Sequence, residues 1–354
     1  MLVFNQLPKP AWCRLLGFAL VLVQTNLLFA QVEIDEHPQE KSVSVTIDGQ
    51  LFTSYTYPNT IKKPVLYPLK TPNGTVVTRG YPLTEVAGER VDHPHHVGLW
   101  LNYGDVNGLD FWNNSEAIPE EKREGYGTIR HREVLETQSG DKQGMLKVGA
   151  DWMTPDQEKL LDETTTFYFS KQDNAYIIDR ITTLKAEEQK VVFHDNKEGM
   201  IAIRVTRALE LPSDKPEIFT DASGNPSDVA KLDNDGVNGE YISSEGITGN
   251  DVWGTQAEWV NLKSSIGDEQ ISIVIMDHPE NVGYPTYWHA RGYGLFSANP
   301  LGQEVFSDGK KQLNFTLQPQ ESVTLRYRIV VYGADEELSK EQIHSLYADF
   351  TDAS

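Results

Sequence analysis

The chain has 354 residues, and its 52 acidic and 31 basic side chains give a formal net charge of −21 at neutral pH. Such a charge repels nucleic acid phosphates and anionic membrane surfaces, so we expect neither as a partner. With 39% hydrophobic and 23% charged residues, the composition is that of a folded globular protein. An acidic substrate would therefore have to be met by a local cluster of Arg and His side chains.

Residues 1–30 have the pattern of a cleaved secretory signal. Lys9 and Arg14 precede an interrupted apolar run that ends on a small residue. The run is too short for a membrane-spanning helix, which is the alternative. The single cysteine, Cys13, lies inside this segment, so the mature chain 31–354 would carry no thiol and a net charge of −23. We expect a periplasmic or, alternatively, a secreted protein that is not attached to a membrane after cleavage.

Short β-like runs follow one another along the rest of the chain. Each alternates or clusters β-branched and aromatic residues and is bounded by turn signals such as Asp-Gly. The clearest runs are 42–47, 164–170, 175–183, 190–194, 271–276 and 323–332. Helices do not alternate with them, which argues against a parallel α/β sheet. We predict one all-β domain over 31–354, a large antiparallel two-sheet β-sandwich.

One helix is predicted near the C-terminal end, over 335–350. Asp335 is placed to cap its first turn, and Leu338, Ile343 and Leu346 approximate one apolar face. We expect a short helix that packs on a sheet.

The densest chemical signal is a histidine cluster at 92–100, with the sequence DHPHHVGLW. Three of the nine histidines fall within four positions, and neutral imidazole transfers protons near neutral pH or binds a metal. Pro94 is expected to hold the segment extended, so that His93 and His95 point to one side and His96 to the other. The alternative is a structural role, with two exposed histidines and one that is hydrogen-bonded.

Aromatic and acidic residues follow this cluster directly. The segment 100–112 contains Trp100, Asp110 and Trp112. Trp and Tyr rings stack on the C–H faces of sugars, and carboxylates accept hydrogen bonds from hydroxyls, so the mixture suits a carbohydrate site. The same composition is also ordinary in sandwich cores and turns.

Two later segments repeat the combination of histidine with charged and aromatic residues. They contain His194, Glu198 and Arg204 within 194–207, and Trp288, His289 and Arg291 within 284–294. The paired donors of an Arg side chain suit a carboxylate or sulfate group. An ion pair at the rim of the sandwich is the alternative for each Arg.

The block DHPHHVGLWLNYGDVNGLDFW at 92–112 resembles the family labelled PmoA-like, an uncharacterised family of exported bacterial proteins. Segments at 198–200, 254–255 and 278–300 are similar to it too, so the resemblance covers most of the mature chain. It implies a component of bacterial glycan breakdown. The order of strands is also similar to the galactose-mutarotase-like supersandwich, which implies that His and carboxylate residues on a concave face perform acid–base chemistry on sugars.

The leading hypothesis is a lyase or dehydratase that acts on an anionic, uronate-containing oligosaccharide. Such an elimination removes the proton α to a carboxylate and expels a β-substituent, so it needs a base, an acid and neutralisation of the developing enolate. The predicted proton-transfer residues are His96, His194 and His289. The predicted substrate contacts are Arg79, Arg204, Arg291 and His95 for the anion, Trp100, Trp112 and Trp288 for stacking, and Asp110 and Glu198.

Three other functions are open on the sequence alone. A hydrolase, or an epimerase at the anomeric carbon, would use the same scaffold, and hydrolysis would need the two carboxylates Glu198 and Asp110. A non-catalytic sugar-binding protein would use the aromatic rings. A metal enzyme would join two clustered histidines to His194 or His289 around zinc or copper. The leading function requires no cofactor, and a divalent metal belongs to the last alternative only.

Overall fold

The computed structural model describes residues 1–3, 31–221, 223–229 and 233–352. The predicted signal therefore lies, beyond its first three residues, outside the described residues. The strands are β1 Val32–His37, β2 Ser42–Ile47, β3 Gln50–Thr56, β4 Val65–Leu66, β5 Leu99–Leu101, β6 Thr128–Gln138, β7 Gln143–Met153, β8 Lys159–Gln172, β9 Ala175–Ala186, β10 Val191–Phe193, β11 Ile201–Arg204, β12 Glu217–Thr220, β13 Pro226–Val229, β14 Glu240–Ser243, β15 Trp259–Ile266, β16 Glu269–Asp277, β17 Tyr287–Arg291, β18 Leu295–Asn299, β19 Phe315–Leu317 and β20 Ser322–Ala334. The α-helices are α1 Gln303–Phe306 and α2 Lys340–Asp352, and short 3-10 turns occupy Pro38–Glu40, Glu120–Gly125, Arg207–Leu209 and Gly249–Val252.

Two eight-stranded antiparallel sheets form the body of the protein. The first sheet has the order β1-β2-β3-β4-β5-β11-β18-β17, and the second has the order β14-β15-β16-β20-β9-β8-β7-β6. Their inner faces share one hydrophobic core, to which Phe52 and Leu99 contribute from the first sheet and Phe169 and Ile273 from the second. This arrangement confirms the predicted all-β, two-sheet sandwich.

The alternation of residues along the strands explains the faces that they bury. The predicted run 42–47 is strand β2, in which Val43, Val45 and Ile47 are buried and the intervening residues are half-buried. The same alternation of burial continues along β8, where Thr165, Phe167 and Phe169 are buried and the residues between them are half-buried. Because side chains of a strand alternate between faces, each sheet also has an outer face that points away from this core.

Helix α2 covers the outer face of the second sheet. Its residues Ile343, Leu346 and Phe350 pack against Trp259 and Val274 of that sheet. The helix begins at Lys340 and not at 335, because Ser339 rather than Asp335 caps it. Ser339 Oγ accepts a hydrogen bond from Gln342 N, and Ser339 N donates to Gln342 Oε1, which forms a reciprocal capping box. Among the described residues, no helix is long and apolar enough to cross a membrane.

Replacement of Leu346 by alanine should destabilise the protein by about 2–4 kcal/mol, because the side chain is 4% exposed and leaves a cavity between the helix and the sheet. The matched control is Ser345→Ala on the exposed face of the same helix, for which we expect a change within about 0.5 kcal/mol. Urea denaturation followed by far-ultraviolet circular dichroism measures both values. Equal stability of the two variants would contradict the packing of the helix on the sheet.

Candidate functional site

Two rows of side chains cross the outer face of the first sheet. Residues paired across β5, β11, β18 and β17 form the first row, which consists of Trp100, Ala202, Ser297 and His289. Residues two positions further along form the second row, which consists of Arg204, Leu295 and Arg291. Neighbouring strands lie about 4.8 Å apart, so the first row extends over roughly 14 Å from Trp100 to His289. Residues far apart in sequence therefore share one surface.

A glycine brings the histidine segment onto this face. Gly98 has a φ of 57°, which is a left-handed conformation, and a Cβ atom on it would overlap the carbonyl oxygen of Leu66. The tight turn before β5 places His96 directly above Trp100, with the ring centroids 5.4 Å apart.

The three clustered histidines lie together, in contrast to the extended segment predicted around Pro94. His93 has a φ of 42°, and its carbonyl accepts a hydrogen bond from His96 N at 2.9 Å, so residues 93–96 form a turn. The His96 ring centroid lies 4.8 Å from that of His93 and 4.4 Å from that of His95. The prediction that His96 points away from the other two was therefore wrong, because a turn does not follow the alternation of a strand.

The carboxylate of Asp92 holds two buried guanidinium groups beneath this turn. Its Oδ1 contacts Arg79 Nη1 and accepts a hydrogen bond from Arg204 Nη2 at 2.7 Å. Burial would raise the pKa of Asp92, but the hydrogen bond with His93 and the charges of Arg204 and Arg79 outweigh it and hold that pKa well below its usual range. Asp92 is thus an anion at every physiological pH.

Arg79 and Arg204 are positioning residues in this arrangement. Arg79 donates to the backbone carbonyls of Asp92, His93 and His96 at 2.8–3.0 Å. The side chains of Arg79 and Arg204 are 1% and 0% exposed. The sequence predicted that both bind the substrate anion, but the structure gives them Asp92 as their anionic partner.

The protonation of His96 follows from its neighbour. Arg204 Nη1 lies 3.2 Å from His96 Nδ1, and because a guanidinium can only donate, Nδ1 is the acceptor and the ring proton sits on Nε2. Burial, followed by the charges of His95 and Arg204, lowers the pKa of His96 well below its usual value, so the ring is neutral. Its Nε2 is buried and has no hydrogen-bond partner within the described residues. His96 therefore offers one N–H donor.

The three predicted stacking residues are all buried. Trp100 and Trp112 pack against each other, with centroids 5.3 Å apart, and support His96 from below. Trp288 lies on the opposite face of β17, in the core between the sheets, and its Nε1 donates to the carbonyl of Ala257 at 3.1 Å. Successive residues of a strand point to opposite faces, so Trp288 and His289 cannot serve the same surface.

His289 forms a second centre at the edge of the sheet. Its ring donates a hydrogen bond to the carbonyl of Lys197, and its Nδ1 is buried without a hydrogen-bond partner within the described residues. The nearest carboxylate oxygen is Glu198 Oε2, 3.8 Å from Nδ1. Burial and then the charges of Arg291 and Lys197 lower the pKa of His289 to about 3. His289 is therefore neutral and presents an unused lone pair on Nδ1.

Tyr293 joins the two centres and was not singled out by the sequence. Its ring stacks on that of His93, with centroids 5.2 Å apart, and the Arg204 guanidinium lies 4.9 Å from its centroid. Burial raises the pKa of its hydroxyl, against the charges of Arg204 and Arg291, and Glu198 raises it further. The hydroxyl is therefore protonated at neutral pH. Its position between two glycines in the segment 284–294 was the available signal.

Arg291 opens onto a cavity of about 630 Å³ beside Tyr293. Arg291 is exposed, and its guanidinium carbon lies 5.7 Å from the ring centroid of Trp253, which also lines the cavity. Trp253 is half-buried and its Nε1 has no hydrogen-bond partner within the described residues. Among the three predicted arginines, Arg291 is the one that is exposed, whereas Arg79 and Arg204 are buried. Trp253 precedes Gly254-Thr255, which the sequence had marked only by resemblance.

Two of the predicted site residues, His194 and Asp110, belong to neither row on the outer face of the first sheet. His194 is exposed, and its backbone amide donates to the carbonyl of Asp105. Asp110 serves its own turn, because Oδ1 accepts from the backbone amides of Trp112 and Asn113 and Oδ2 accepts from the Asn113 side chain. Burial raises the pKa of Asp110. Its oxygens are therefore engaged by hydrogen bonds within its own turn.

A buried lysine that the sequence did not suggest lies behind the histidines. Lys63 is 3% exposed, its Nζ donates to the carbonyl of His95 at 2.6 Å, and it lies 5.1 Å from the Trp100 ring centroid. Burial lowers the pKa of Lys63 to about 7, although Asp110 acts in the opposite direction. Burial and then Lys63 lower the pKa of His95 to about 2. The available signal was a pair of lysines within the otherwise apolar segment 61–66.

No group of three or more His, Cys, Asp or Glu side chains in the described part of the chain is arranged to hold a metal ion. The histidine rings pack on one another and on Trp100.

Fold and site together define a two-sheet all-β protein with a face of His, Tyr and Arg residues on its first sheet. The chain belongs to a family of unknown function, DUF6807, whose model matches residues 42–348. The matching model does not carry the PmoA-like label that the sequence suggested. No curated protein matches the chain.

Several solved structures of carbohydrate-active and mutarotase-like proteins are similar to this chain at low identity. A GH36 α-galactosidase from Geobacillus stearothermophilus has a TM-score of 0.34 and 9% identity, and the match covers 86% of this chain and 41% of that one. A galactose mutarotase-like protein from Clostridium acetobutylicum has a TM-score of 0.31 and 10% identity over 87% of this chain and 99% of that one. A polysaccharide lyase has a TM-score of 0.29 and 12% identity over 90% and 34%. The chain thus spans about two fifths of the length of the α-galactosidase.

Proposed function

We propose that this protein is an exported carbohydrate-active enzyme that performs acid–base elimination on a uronate-containing oligosaccharide. The observation that carries the proposal is the unused Nδ1 of the neutral His289, whose ring lies within the electrostatic reach of Arg291, while Arg291 is hydrogen-bonded to the Tyr293 hydroxyl. The charge of Glu198 acts on the Tyr293 hydroxyl, and Glu198 Oε2 lies 3.8 Å from His289 Nδ1. Base, acid and cation are the three groups that such an elimination needs.

Each group has one role in the reaction. His289 Nδ1 takes the proton from the carbon α to the uronate carboxylate, and the electron pair of that C–H bond forms the new C=C bond. The C–O bond to the leaving sugar breaks, its electrons go to the leaving oxygen, and that oxygen takes the proton of the Tyr293 hydroxyl. Arg291 binds the carboxylate and neutralises the charge that develops on it.

Binding of the acidic substrate raises the pKa of His289. In the free protein, burial and then the charges of Arg291 and Lys197 hold the pKa of His289 at about 3. A bound carboxylate that pairs with Arg291 offsets this repulsion and brings an opposite charge close to the ring, so it raises the pKa of His289 towards the working pH. Proton transfer is thus favoured only when an acidic sugar is bound.

Hydrolysis is less well supported because its second carboxylate is engaged. It requires two carboxyl groups across the scissile bond. Glu198 faces His289, but the two oxygens of Asp110 accept hydrogen bonds from Trp112 and Asn113. Non-catalytic sugar binding would leave the unpaired His289 Nδ1 without a use.

The proposal is tested by incubation of the protein with uronate oligosaccharides from pectin, alginate and glycosaminoglycans. We expect the ultraviolet absorbance of an unsaturated uronate to rise with at least one of them. The matched control is the same oligosaccharide after reduction of its carboxyl groups, which removes the acidity of the α proton. Release of reducing ends without the absorbance would indicate a hydrolase, and binding without any product would indicate a sugar-binding protein.

A further inference from the structure

A second cavity lies between the loop that joins β3 to β4 and the start of β6. Its volume is about 610 Å³, and the basic residues that line it are Lys41, Lys62, Lys63, Arg130 and His131. Among the residues that the structure describes, no carboxylate belongs to its lining. In a chain with a net charge of −21, a cavity that gathers several basic side chains needs a specific reason.

The cations of this cavity are only partly neutralised by the protein. Lys62 pairs with the exposed Glu116 at the rim. Lys41 Nζ donates to Asn59 Oδ1 at 2.7 Å, which leaves its charge uncompensated. Within the described residues, neither Lys41 nor Arg130 forms an ion pair with a carboxylate. Two permanent positive charges are therefore available to an anion.

One wall of the cavity is a flat aromatic surface. The rings of Tyr57 and His131 are stacked, with centroids 3.8 Å apart, and Tyr55 OH holds His131 Nδ1 at 3.1 Å. Burial, followed by Arg132, lowers the pKa of His131 to about 4, so this ring is neutral. A flat ring pair beside cations and the Asn59 amide matches a ligand with a C–H face, hydroxyl groups and a negative charge.

The cavity also adjoins the site described above. Lys63 lines it and reaches the carbonyl of His95, and Ile61 of the same loop packs on the cluster of Trp100 and Trp112. Strand β4, next to this loop, is four inter-strand steps from β17, a span of roughly 19 Å. A disaccharide at His289 cannot reach the cavity, whereas a longer chain that follows the sheet can.

We infer that this cavity is a second glycan-binding site, which takes an acidic sugar unit through Lys41 and Arg130 and stacks it on Tyr57. The inference rests on the proposed function in one respect, because it names a further acidic unit of the same class of substrate. The recognised group is a carboxylate or a sulfate on the sugar, and both would be bound by the same cations.

Calorimetric titration with hexasaccharides tests this inference. The ligands are an oligogalacturonate, a sulfated hexasaccharide without uronate and a neutral hexasaccharide. The double variant Lys41→Gln with Arg130→Gln should bind one or both acidic ligands at least tenfold more weakly than the unaltered protein does, and the loss should shrink as salt is added. The acidic ligand that shows the loss identifies the group. The neutral ligand should show no difference.

A matched control tests whether the loss of binding depends on the position of the charges in the cavity. The double variant Lys185→Gln with Lys310→Gln removes the same charge from exposed positions outside the cavity and should bind like the unaltered protein. The double variant Lys41→Arg with Arg130→Lys keeps both positive charges and should retain binding. Weaker binding by the glutamine variant is then due to the lost charges and not to misfolding. Equal binding of the acidic ligands by both glutamine variants, or no binding by the unaltered protein, would overturn the inference.

Turnover of uronate disaccharides by the same variants separates this inference from the proposed function. The cavity variant should keep the unaltered kcat and KM, because the disaccharide does not reach the cavity. If the unaltered protein shows no elimination, the proposed function is wrong. The titration still tests whether the cavity binds an acidic sugar.

Discussion

Replacement of His289 by glutamine should lower kcat for elimination by about 100- to 10,000-fold, which is the usual contribution of a general base. Glutamine keeps a side-chain amide that can donate to the Lys197 carbonyl but lacks the lone pair that His289 offers on Nδ1. KM should change little, because Arg291 still binds the carboxylate. Initial rates of ultraviolet absorbance measure both constants, and thermal unfolding verifies that the variant is folded.

The matched control is His37→Gln, which changes an exposed histidine on β1, at the opposite edge of the first sheet from β17, whose Nε2 contacts Ser44 Oγ. It should keep the unaltered rate. A His289→Gln protein that is folded and retains more than a tenth of the activity would remove His289 from the mechanism.

The dependence of kcat/KM on pH is an independent test of His289 as the general base. A pKa of about 3 in the free enzyme leaves the His289 imidazole deprotonated, and able to accept a proton, down to low pH. The acid limb of kcat/KM should therefore lie below pH 5. A limb near pH 6.5 would point to an exposed histidine instead.

Replacement of Asp92 by asparagine should destabilise the protein by about 3–5 kcal/mol at neutral pH. The change leaves the buried guanidinium groups of Arg79 and Arg204 without their counter-ion, and an unpaired buried charge is costly. The free energy of unfolding in urea measures the loss. The matched control is Asp48→Asn, which breaks the exposed pair with Lys171 and should cost less than about 1 kcal/mol.

The destabilisation caused by Asp92→Asn should depend on pH in one direction. The pKa of Asp92 is lowered in the folded state, so its contribution is fully present above the unfolded pKa near 3.8 and is lost as the pH falls towards the folded value. The difference in stability between the two proteins should be constant from pH 5 to 8 and shrink below about pH 4. A difference that grows on acidification would contradict the assignment of Asp92 as the shared anion.

Local pattern was sufficient to predict the class of fold. The runs at 42–47, 175–183 and 323–332 lie within β2, β9 and β20, because alternation of apolar residues reports directly on which face of a strand is buried. The start of the last helix was placed five residues early, since two acceptable capping residues, Asp335 and Ser339, compete. Only the reciprocal bond with Gln342 decides between them.

The sequence identified candidate site residues by their type, but it did not predict how they are arranged in space. The sequence selected His289, Arg291 and Glu198, which the fold does bring together. It also selected Arg79 and Arg204 as anion-binding groups, because nothing local shows that Asp92 forms an ion pair with both. The sequence did not single out Tyr293 or Lys63, because the role of a tyrosine or a lysine depends on the residues that surround it in the fold.

The sequence by itself determined that this is an acidic, all-β protein with a dense group of histidines, because charge, alternation and residue type are local properties. The tertiary structure alone decided which of those residues share a surface. Register across β5, β11, β18 and β17 sets His289 and Arg291 on the outer face and Trp288 in the core. Pairing between distant strands, and the turn at His93, are set by packing of the whole chain, and no short segment encodes them.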